Sequence, residues 1–207
     1  MAKRVILIRH GETKANSDMR YVGWADPSLN EAGVRQAGLL SKSLNAIKPN
    51  LILTSPLKRT KETADISAGG LDVDIVIDED LKEVDFGEWE NLTYREISQK
   101  HHAFAKKWID GSPDFHFPGG ESMKHFLARV ERVNTRMKHE KVETVVAFTH
   151  GGVIGQSICH LLGIPSSRRA CFALPPASIT TIEIFEGMGM ISGICSCAVN
   201  GDFKWAE

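Results

Sequence analysis

Short apolar segments alternate with amphipathic helical patterns along most of the chain, and this alternation constrains the fold more than any other feature. Runs of β-branched residues and leucine too short for a helix predict strands at 5–8, 51–53, 74–78 and 144–148. Apolar residues at helical spacing predict helices at 30–47, 57–68, 92–109, 121–138 and 152–162. Strands that alternate with helices indicate a largely parallel sheet covered by helices on both faces.

The end of the chain follows a different pattern. Residues 179–185 and 190–196 alternate between apolar and polar side chains, and Glu186-Gly187 separates them, which predicts an antiparallel hairpin. Two segments have no such pattern: the acidic stretch 79–90, and a loop rich in glycine and proline at 111–120. At 207 residues, the chain fits a single domain spanning 1–207.

Composition excludes several classes of function. The net charge is -1, from 25 basic and 26 acidic side chains, so neither nucleic acid nor an anionic membrane surface is an expected partner. No apolar run approaches the roughly 20 residues needed to span a bilayer. The 4 cysteines are too few for a disulfide framework in a chain of this length, which favours a cytoplasmic protein with reduced thiols. The sequence is compatible with a homodimer.

Basic side chains follow three of the predicted strands. Arg9 and His10 come after the first, Lys58 and Arg59 after the second, and His150 after the fourth. Because the carboxyl ends of parallel strands lie at one edge of a sheet, these groups are expected to face one cleft, where guanidinium groups and helix N-termini favour a phosphate. Each residue alone is equally compatible with an ordinary solvated strand end.

The same residues disfavour a metal and a nucleotide cofactor. His10 and His150 have no carboxylate or cysteine at ligand spacing, and neighbouring arginines would repel a divalent cation. The glycine pairs at 69–70 and 119–120 lack the Lys-Ser or Lys-Thr of a phosphate-binding loop. The sequence therefore predicts no metal site and no cofactor.

Five motifs, in order along nearly the whole chain, resemble those of the histidine phosphatase superfamily, also called phosphoglycerate mutase-like. They are RHGET with Asn16, TSPLKRTKETA at 54–64, EVDFGEWE at 83–90, FPGGES at 117–122 and FTHGGVI at 148–154. The resemblance implies an α/β fold: a three-layer α/β/α sandwich with a mostly parallel sheet and an antiparallel edge. Two positions depart from the pattern. Thr54 replaces a common serine, and Asn91 stands where relatives often have glycine, although asparagine tolerates a left-handed backbone.

The resemblance also implies roles for individual residues. His10 is expected to become a phosphohistidine and Glu83 to act as the proton donor, and nucleophilic attack requires a neutral imidazole. Arg9 and Arg59 are expected to lower the pKa of His10 and to stabilise the phosphoryl oxygens. The implied catalytic residues are Arg9, His10, Arg59, Glu83 and His150, and the implied substrate-binding residues are Arg9, Gly11, Asn16, Arg59, Glu83, His150 and Gly151.

Three functions remain open at this stage. A metal-independent phosphatase is favoured for a small phosphorylated metabolite, because family mutases carry an inserted segment after the acid that 83–97 lacks. A cofactor-dependent phosphoglycerate mutase and a non-catalytic phosphate-binding regulator are the alternatives. The branch most resembled is that of α-ribazole phosphatase and the broad-specificity phosphatases, so α-ribazole 5'-phosphate is a candidate substrate. Specificity is expected to come from residues 91–120, among which His116 is a candidate contact.

Overall fold

A computed structural model describes residues 2–109 and 114–196. Six strands form one sheet in the order β3-β2-β4-β1-β5-β6. The strands are β1 (Arg4–Arg9), β2 (Leu51–Thr54), β3 (Ile75–Ile77), β4 (Thr144–Thr149), β5 (Ser178–Phe185) and β6 (Met188–Ser196). The strands β1 to β4 are parallel to one another, whereas β5 is antiparallel to β1 and to β6. The predicted parallel sheet with an antiparallel edge is confirmed.

Seven α-helices accompany the sheet in the described ranges. They are α1 (Lys14–Ser17), α2 (Glu31–Ile47), α3 (Lys58–Ala68), α4 (Tyr94–Lys100), α5 (His102–Ile109), α6 (Met123–His139) and α7 (Gly151–Leu162). Three short 3-10 turns complete the structure, at Glu79–Leu81, Gly87–Trp89 and Ser166–Cys171. None of the helices in these ranges has both the length and the apolar character needed to cross a bilayer.

The two faces of the sheet carry separate apolar cores. In β1, Val5 and Leu7 join one core while Ile6 and Ile8 join the other, as the alternation of side chains along a strand requires. The first core includes buried residues of α6 and α7, and the second includes residues of α2 and α3. Helices therefore cover both faces, which confirms the three-layer α/β/α arrangement.

Several predicted boundaries need correction. The pattern over 92–109 is two helices rather than one, because His101 leaves the helical region at φ -130°. The helix predicted from Glu121 begins at Met123, with the Ser122 side chain accepting the N–H of His125 as its cap. Glu121 instead forms a buried ion pair. Residues 111–113 of the predicted loop, and Cys197, lie outside the described residues.

The carboxyl ends of β1, β2 and β4 meet at one edge of the sheet. The N–H of His10 donates to the Thr149 carbonyl at 3.0 Å, and the N–H of Ser55 donates to the Phe148 carbonyl at 3.0 Å. Hydrogen bonding between strands thus continues one residue beyond β1 and β2. The residues that follow these strands are held at fixed positions relative to one another.

Candidate active site

A cleft of about 230 Å³ opens at this edge of the sheet. Arg9, His10 and Glu83 lie in its wall, together with the first two residues of α7. Met19 also lines the cleft and has 60% of its surface exposed, so the cleft is open to solvent. Those two residues of α7 are Gly151 and Gly152, and the remaining lining residues are Asn16, Arg20, Tyr21, Val22 and Phe86.

The hydrogen bonds of His10 leave one ring nitrogen as an acceptor. Nδ1 lies 2.7 Å from the Gly11 carbonyl oxygen, which can only accept, so Nδ1 carries the proton. The other nitrogen, Nε2, accepts from Nε of Arg59 at 3.3 Å. A neutral imidazole with a lone pair on Nε2 is the form that nucleophilic attack on phosphorus requires.

Burial and charge both keep His10 neutral. The pKa of His10 is lowered well below its usual value, first by burial, then by the charges of Arg59 and Arg9. The sequence predicted that the pKa of His10 is lowered and that the arginines contribute, but burial is the larger cause of this shift. The pKa of His150 is also lowered well below its usual value, first by burial and then by the charge of Arg59.

His150 lies against His10, with the two ring centroids 5.2 Å apart. Its Nε2 is 2.9 Å from Oγ of Ser55, the residue that follows β2. Its Nδ1 is buried and has no hydrogen-bond partner. A buried nitrogen without a partner costs free energy, so it is available to a ligand that brings a complementary group.

Arg59 is completely buried behind His10. Besides its contact with Nε2, its Nη1 donates to the Ala25 carbonyl at 2.9 Å and its Nη2 to the Gly23 carbonyl at 2.8 Å. Burial lowers the pKa of Arg59 to about 10, so the guanidinium stays charged at neutral pH. Arg59 therefore supplies positive charge beside His10 and also holds the backbone of residues 23–25.

Glu90 holds the same backbone from the other side. Its carboxylate accepts the N–H groups of Gly23 and Trp24, at 3.0 and 2.8 Å from Oε1. Carboxylate and guanidinium thus satisfy opposite polar groups of one loop segment, which keeps residues 23–25 in a single conformation.

Glu83 faces the cleft from the segment between the first two 3-10 turns. Its Oε2 accepts the N–H of Gly152 at 3.0 Å, and its Oε1 accepts the N–H of Val84 at 3.0 Å. Gly152 is in the first turn of α7, where unpaired N–H groups and the helix dipole stabilise a negative charge. The carboxylate is therefore fixed by the helix N-terminus next to the cleft.

A buried ion pair supports the backbone of Glu83. Arg129 of α6 donates from Nε and Nη2 to the two carboxylate oxygens of Glu121, at 2.8 Å each. Its Nη1 donates to the carbonyls of Asp80 and Lys82, and its Nη2 to the carbonyl of Glu83 at 2.8 Å. One buried guanidinium thus binds three carbonyls of a segment that contains no strand and no α-helix.

A family model described as histidine phosphatase superfamily, branch 1, matches residues 5–195. The chain belongs to the histidine phosphatase superfamily. It is 32% identical over 190 residues to phosphoserine phosphatase 1 of Hydrogenobacter thermophilus, covering 91% of this chain and 90% of that protein. It is 30% identical over 191 residues to a protein named probable phosphoglycerate mutase in Cronobacter sakazakii, covering 92% and 89%.

A solved histidine phosphatase fold resembles the present one over nearly its full length. The α-ribazole phosphatase of Shigella flexneri superposes with a TM-score of 0.86 at 28% identity, covering 96% of this chain and 99% of that one. The resemblance to this superfamily and its fold, stated above from five motifs, is confirmed.

Within this fold, the expected phosphate-binding residues fall into two groups. Arg9, Asn16 and Gly151 line the cleft, while Arg59 and His150 lie fully buried behind His10. Oδ1 of Asn16 accepts from the Thr13 backbone N–H at 3.0 Å, which leaves its NH₂ group as the donor toward the cleft. The buried Nε of Arg9 has no hydrogen-bond partner. The structure therefore brings two guanidinium groups and two imidazoles of a histidine phosphatase together.

Three sequence-predicted contacts lie elsewhere. Gly11 was expected to let the backbone approach a ligand, but its N–H donates to Thr63 Oγ1 and a Cβ there would lie 2.6 Å from the Gly33 carbonyl oxygen. Its close approach is thus to α2. Lys58 is exposed outside the cleft. His116 is also exposed, and its Nε2 contacts the Gly120 carbonyl at 3.0 Å.

Sequence reasoning missed four residues that shape the site: Ser55, Glu90, Arg129 and Gly152. Ser55, Glu90 and Gly152 lie inside the motifs that carried the resemblance, but no spacing rule assigns them a contact. Arg129 is one of three arginines in α6, and because the other two, Arg132 and Arg136, are exposed, no local pattern distinguishes it. In the part of the chain that is described, no cluster of three or more potential metal-ligating side chains occurs.

Proposed function

We propose that this histidine phosphatase hydrolyses small phosphomonoesters through a phosphohistidine at His10, without a metal ion. The observation that carries the proposal is the state of His10, a buried neutral imidazole whose Nε2 lone pair lies beside Arg59. The arginines supply the positive charge that a metal would otherwise bring to the phosphoryl oxygens. The Glu83 carboxylate in the same cleft provides a group for proton transfer.

The first step transfers the phosphoryl group to the enzyme. The ester binds as its monoanion and passes its proton to the Glu83 carboxylate. Nε2 of His10 then forms a bond to phosphorus, the bond from phosphorus to the ester oxygen breaks, and the departing oxygen takes that proton from Glu83. Arg9, Arg59 and the free nitrogen of His150 stabilise the phosphoryl oxygens during this transfer. The products of this step are the free alcohol and a phosphohistidine.

The second step returns the enzyme to its starting state. Water attacks phosphorus and gives a proton to the Glu83 carboxylate, and the bond from phosphorus to Nε2 breaks. Phosphate leaves as its monoanion with the proton from Glu83, so His10 is neutral and Glu83 a carboxylate again. Splitting one displacement into two in this way uses the same cleft and the same acid for both halves.

Access of water favours hydrolysis over mutase activity. The cleft is open along the side where Met19 is exposed, so water can reach a phosphohistidine before a second alcohol does. The phosphoglycerate mutase remains the alternative, because one relative carries that name. A non-catalytic regulator is the third possibility. α-Ribazole 5'-phosphate is one candidate substrate among phosphorylated metabolites, and we further propose a cytoplasmic enzyme that needs no cofactor.

Trapping the phosphoenzyme tests the proposal. The protein is mixed with an aryl phosphate, quenched, and analysed by intact mass and peptide mapping. We expect one added phosphoryl group on His10 that is labile to acid and stable to base. His10→Ala is expected to abolish both the adduct and turnover, while the matched variant His116→Ala, at an exposed position outside the cleft, keeps both. Phosphate release at the wild-type rate from His10→Ala would refute the assignment.

A second assay separates the alternatives. Free phosphate and interconversion of phosphoglycerates are measured in parallel, with and without a bisphosphoglycerate. Phosphate release without interconversion supports the phosphatase, whereas interconversion exceeding release identifies a mutase. A regulator predicts no adduct and no turnover with any ester.

A further inference from the structure

A second cavity of about 290 Å³ adjoins the cleft of His10 and Glu83. The two spaces share three residues, Arg9, Gly151 and Gly152, which form the boundary between them. The side chains beyond that boundary are mostly apolar, and we name this space the alcohol cavity. Its other lining residues are Trp108, Arg169, Ala170, Phe172, Ala173 and Leu174.

The proposed proton donor lies at the entrance to this cavity. Oε2 of Glu83 is held at 3.0 Å by the N–H of Gly152, a residue common to both spaces. The ester oxygen that takes the proton must lie within hydrogen-bond reach of Glu83. The rest of the alcohol can therefore extend past Gly151 and Gly152, neither of which has a side chain to obstruct it.

Arg169 lies inside the alcohol cavity without an acidic partner. Its guanidinium carbon is 5.1 Å from the centroid of the Trp108 ring, and its Nη1 donates to the Ser166 carbonyl at 3.0 Å. No ion pair among the described residues includes Arg169. Burial lowers the pKa of this guanidinium, which shows that its charge is partly removed from water.

A cation that is partly desolvated and unpaired favours an anion when one is supplied. Arg9, at the boundary, is directed to the transferring phosphoryl group in the proposed reaction, and its Nη1 already donates to the Leu174 carbonyl at 2.5 Å. Arg169 is therefore the guanidinium in this cavity that is left for the alcohol. The mostly apolar lining of the cavity suits a spacer of carbon atoms.

We infer that the alcohol cavity selects phosphomonoesters whose alcohol carries a second anionic group, a carboxylate or another phosphoryl group, beyond a short apolar spacer. Arg169 binds this anion and Trp108 fixes the guanidinium plane that receives it. The inference rests on the proposed phosphatase function, since it assigns a substrate class to the same site. It ranks anionic esters above α-ribazole 5'-phosphate, whose base carries no second anion.

A matched pair of esters tests this inference. 4-Carboxyphenyl phosphate and its neutral isostere 4-carbamoylphenyl phosphate are compared by kcat/KM in wild type, Arg169→Gln and Arg169→Lys. Arg168→Gln is the control, because Arg168 neighbours Arg169 but is exposed and does not line the cavity. Each ester is used with every protein, so differences in leaving-group reactivity cancel when the ratios of the two esters are compared.

We expect Arg169→Gln to lose about tenfold or more in the ratio of carboxylate to carbamoyl ester, the size of one charge-assisted hydrogen bond. Its activity on the carbamoyl ester reports whether the site is still folded, and Arg169→Lys should recover part of the ratio. Arg168→Gln should keep the wild-type ratio. An analogue in which a phosphonomethyl group replaces the carboxylate then shows whether Arg169 prefers a carboxylate or a phosphoryl-type anion.

Two other results would overturn the inference. An unchanged ratio in Arg169→Gln, with both esters still hydrolysed, removes Arg169 from substrate selection but leaves the phosphatase proposal intact. If the wild-type protein has a higher kcat/KM for α-ribazole 5'-phosphate than for the carboxylate ester, the preference for a second anion is likewise refuted and the phosphatase proposal stays intact. Absence of hydrolysis and of phosphoenzyme with every ester instead contradicts the proposed function itself.

Discussion

The backbone N–H of Gly152 donates to Oε2 of Glu83 at 3.0 Å, so the N-terminus of α7 holds the carboxylate that faces the cleft. A Cβ placed on Gly152 would lie 2.4 Å from Oε1 of Glu83, closer than any real contact. The backbone of Gly152 is helical and would accept any residue. The requirement for glycine at this position therefore comes from the carboxylate beside it.

We predict that Gly152→Ala lowers kcat by about 100-fold, because the added methyl group moves the Glu83 carboxylate by about 1 Å from the position used for proton transfer. Stability should change little, since alanine favours the helix and only a mobile side-chain end must shift. Steady-state kinetics and the rate of phosphoenzyme formation measure the effect.

Gly38→Ala is the matched control for this substitution. Gly38 lies in α2, and a Cβ there meets no atom within 4 Å. Alanine at this position should raise the free energy of unfolding by about 0.5–1 kcal/mol and leave kcat unchanged. If Gly152→Ala has the kcat of Gly38→Ala, Glu83 does not act from its observed position.

Arg129 provides the second prediction. Arg129→Gln leaves the buried Glu121 carboxylate without its guanidinium and frees the carbonyl of Glu83. Removing one partner of a buried pair costs about 3–5 kcal/mol, so urea unfolding should show a loss of that size. We also expect kcat to fall more than KM rises, because the backbone that carries the proton donor loses its support.

Arg132→Gln is the control for Arg129→Gln, because it lies on the same helix and removes an ion pair with Asp80 that is exposed on the arginine side. An exposed pair contributes about 1 kcal/mol or less, so stability and kcat should both stay near wild type. Equal losses of stability in the two variants would show that the buried pair does not support the segment as described.

Local sequence patterns were sufficient for most of the fold. The N-cap at Asn30 is confirmed by a 2.8 Å hydrogen bond from the N–H of Gly33 to its side chain, and the strands follow their apolar runs to within one or two residues. The segment 79–90 could not be assigned because its backbone is held by distant residues. Arg129 binds three of its carbonyls across 46 to 49 positions of sequence.

The site was predictable where strand ends and motifs specify it. Topology alone brings His10 and His150 together, since both follow neighbouring parallel strands. The 3-10 turn Ser166–Cys171 has no local pattern, so Arg169 could not be placed at the alcohol cavity. Gly11 misled the prediction because a glycine needed for packing and one needed for a ligand look identical in sequence.

The depressed pKa of His10 should make the protein less stable in acid. The pKa of His10 is depressed in the folded state, so below the usual pKa of about 6.5 the unfolded chain binds a proton that the native state does not. Stability attributable to neutral His10 is therefore fully present above about pH 6.5 and falls by about 1.4 kcal/mol per pH unit below it. His150 adds a similar dependence.

Urea unfolding of wild type and His10→Asn from about pH 7 to pH 5 isolates this effect. All other titrating groups are common to both proteins and cancel in the difference between their free energies of unfolding. We expect His10→Asn to gain stability relative to wild type as the pH falls. A difference that does not vary with pH would contradict the depressed pKa of His10.

The turn at Asn91 gives a prediction that is independent of activity. Asn91 has φ +61°, in the left-handed region that asparagine tolerates, and its carbonyl accepts from Nη1 of Arg20 at 2.5 Å. A left-handed backbone costs a residue such as alanine about 1–2 kcal/mol, whereas glycine adopts it freely. Asn91→Ala should therefore lower the free energy of unfolding by about 1 kcal/mol and Asn91→Gly should leave it near wild type. Asn45→Ala, at an exposed helical position of α2, is the control and should not destabilise the protein. If Asn91→Ala and Asn91→Gly are equally stable, the left-handed backbone at residue 91 does not contribute to stability as described.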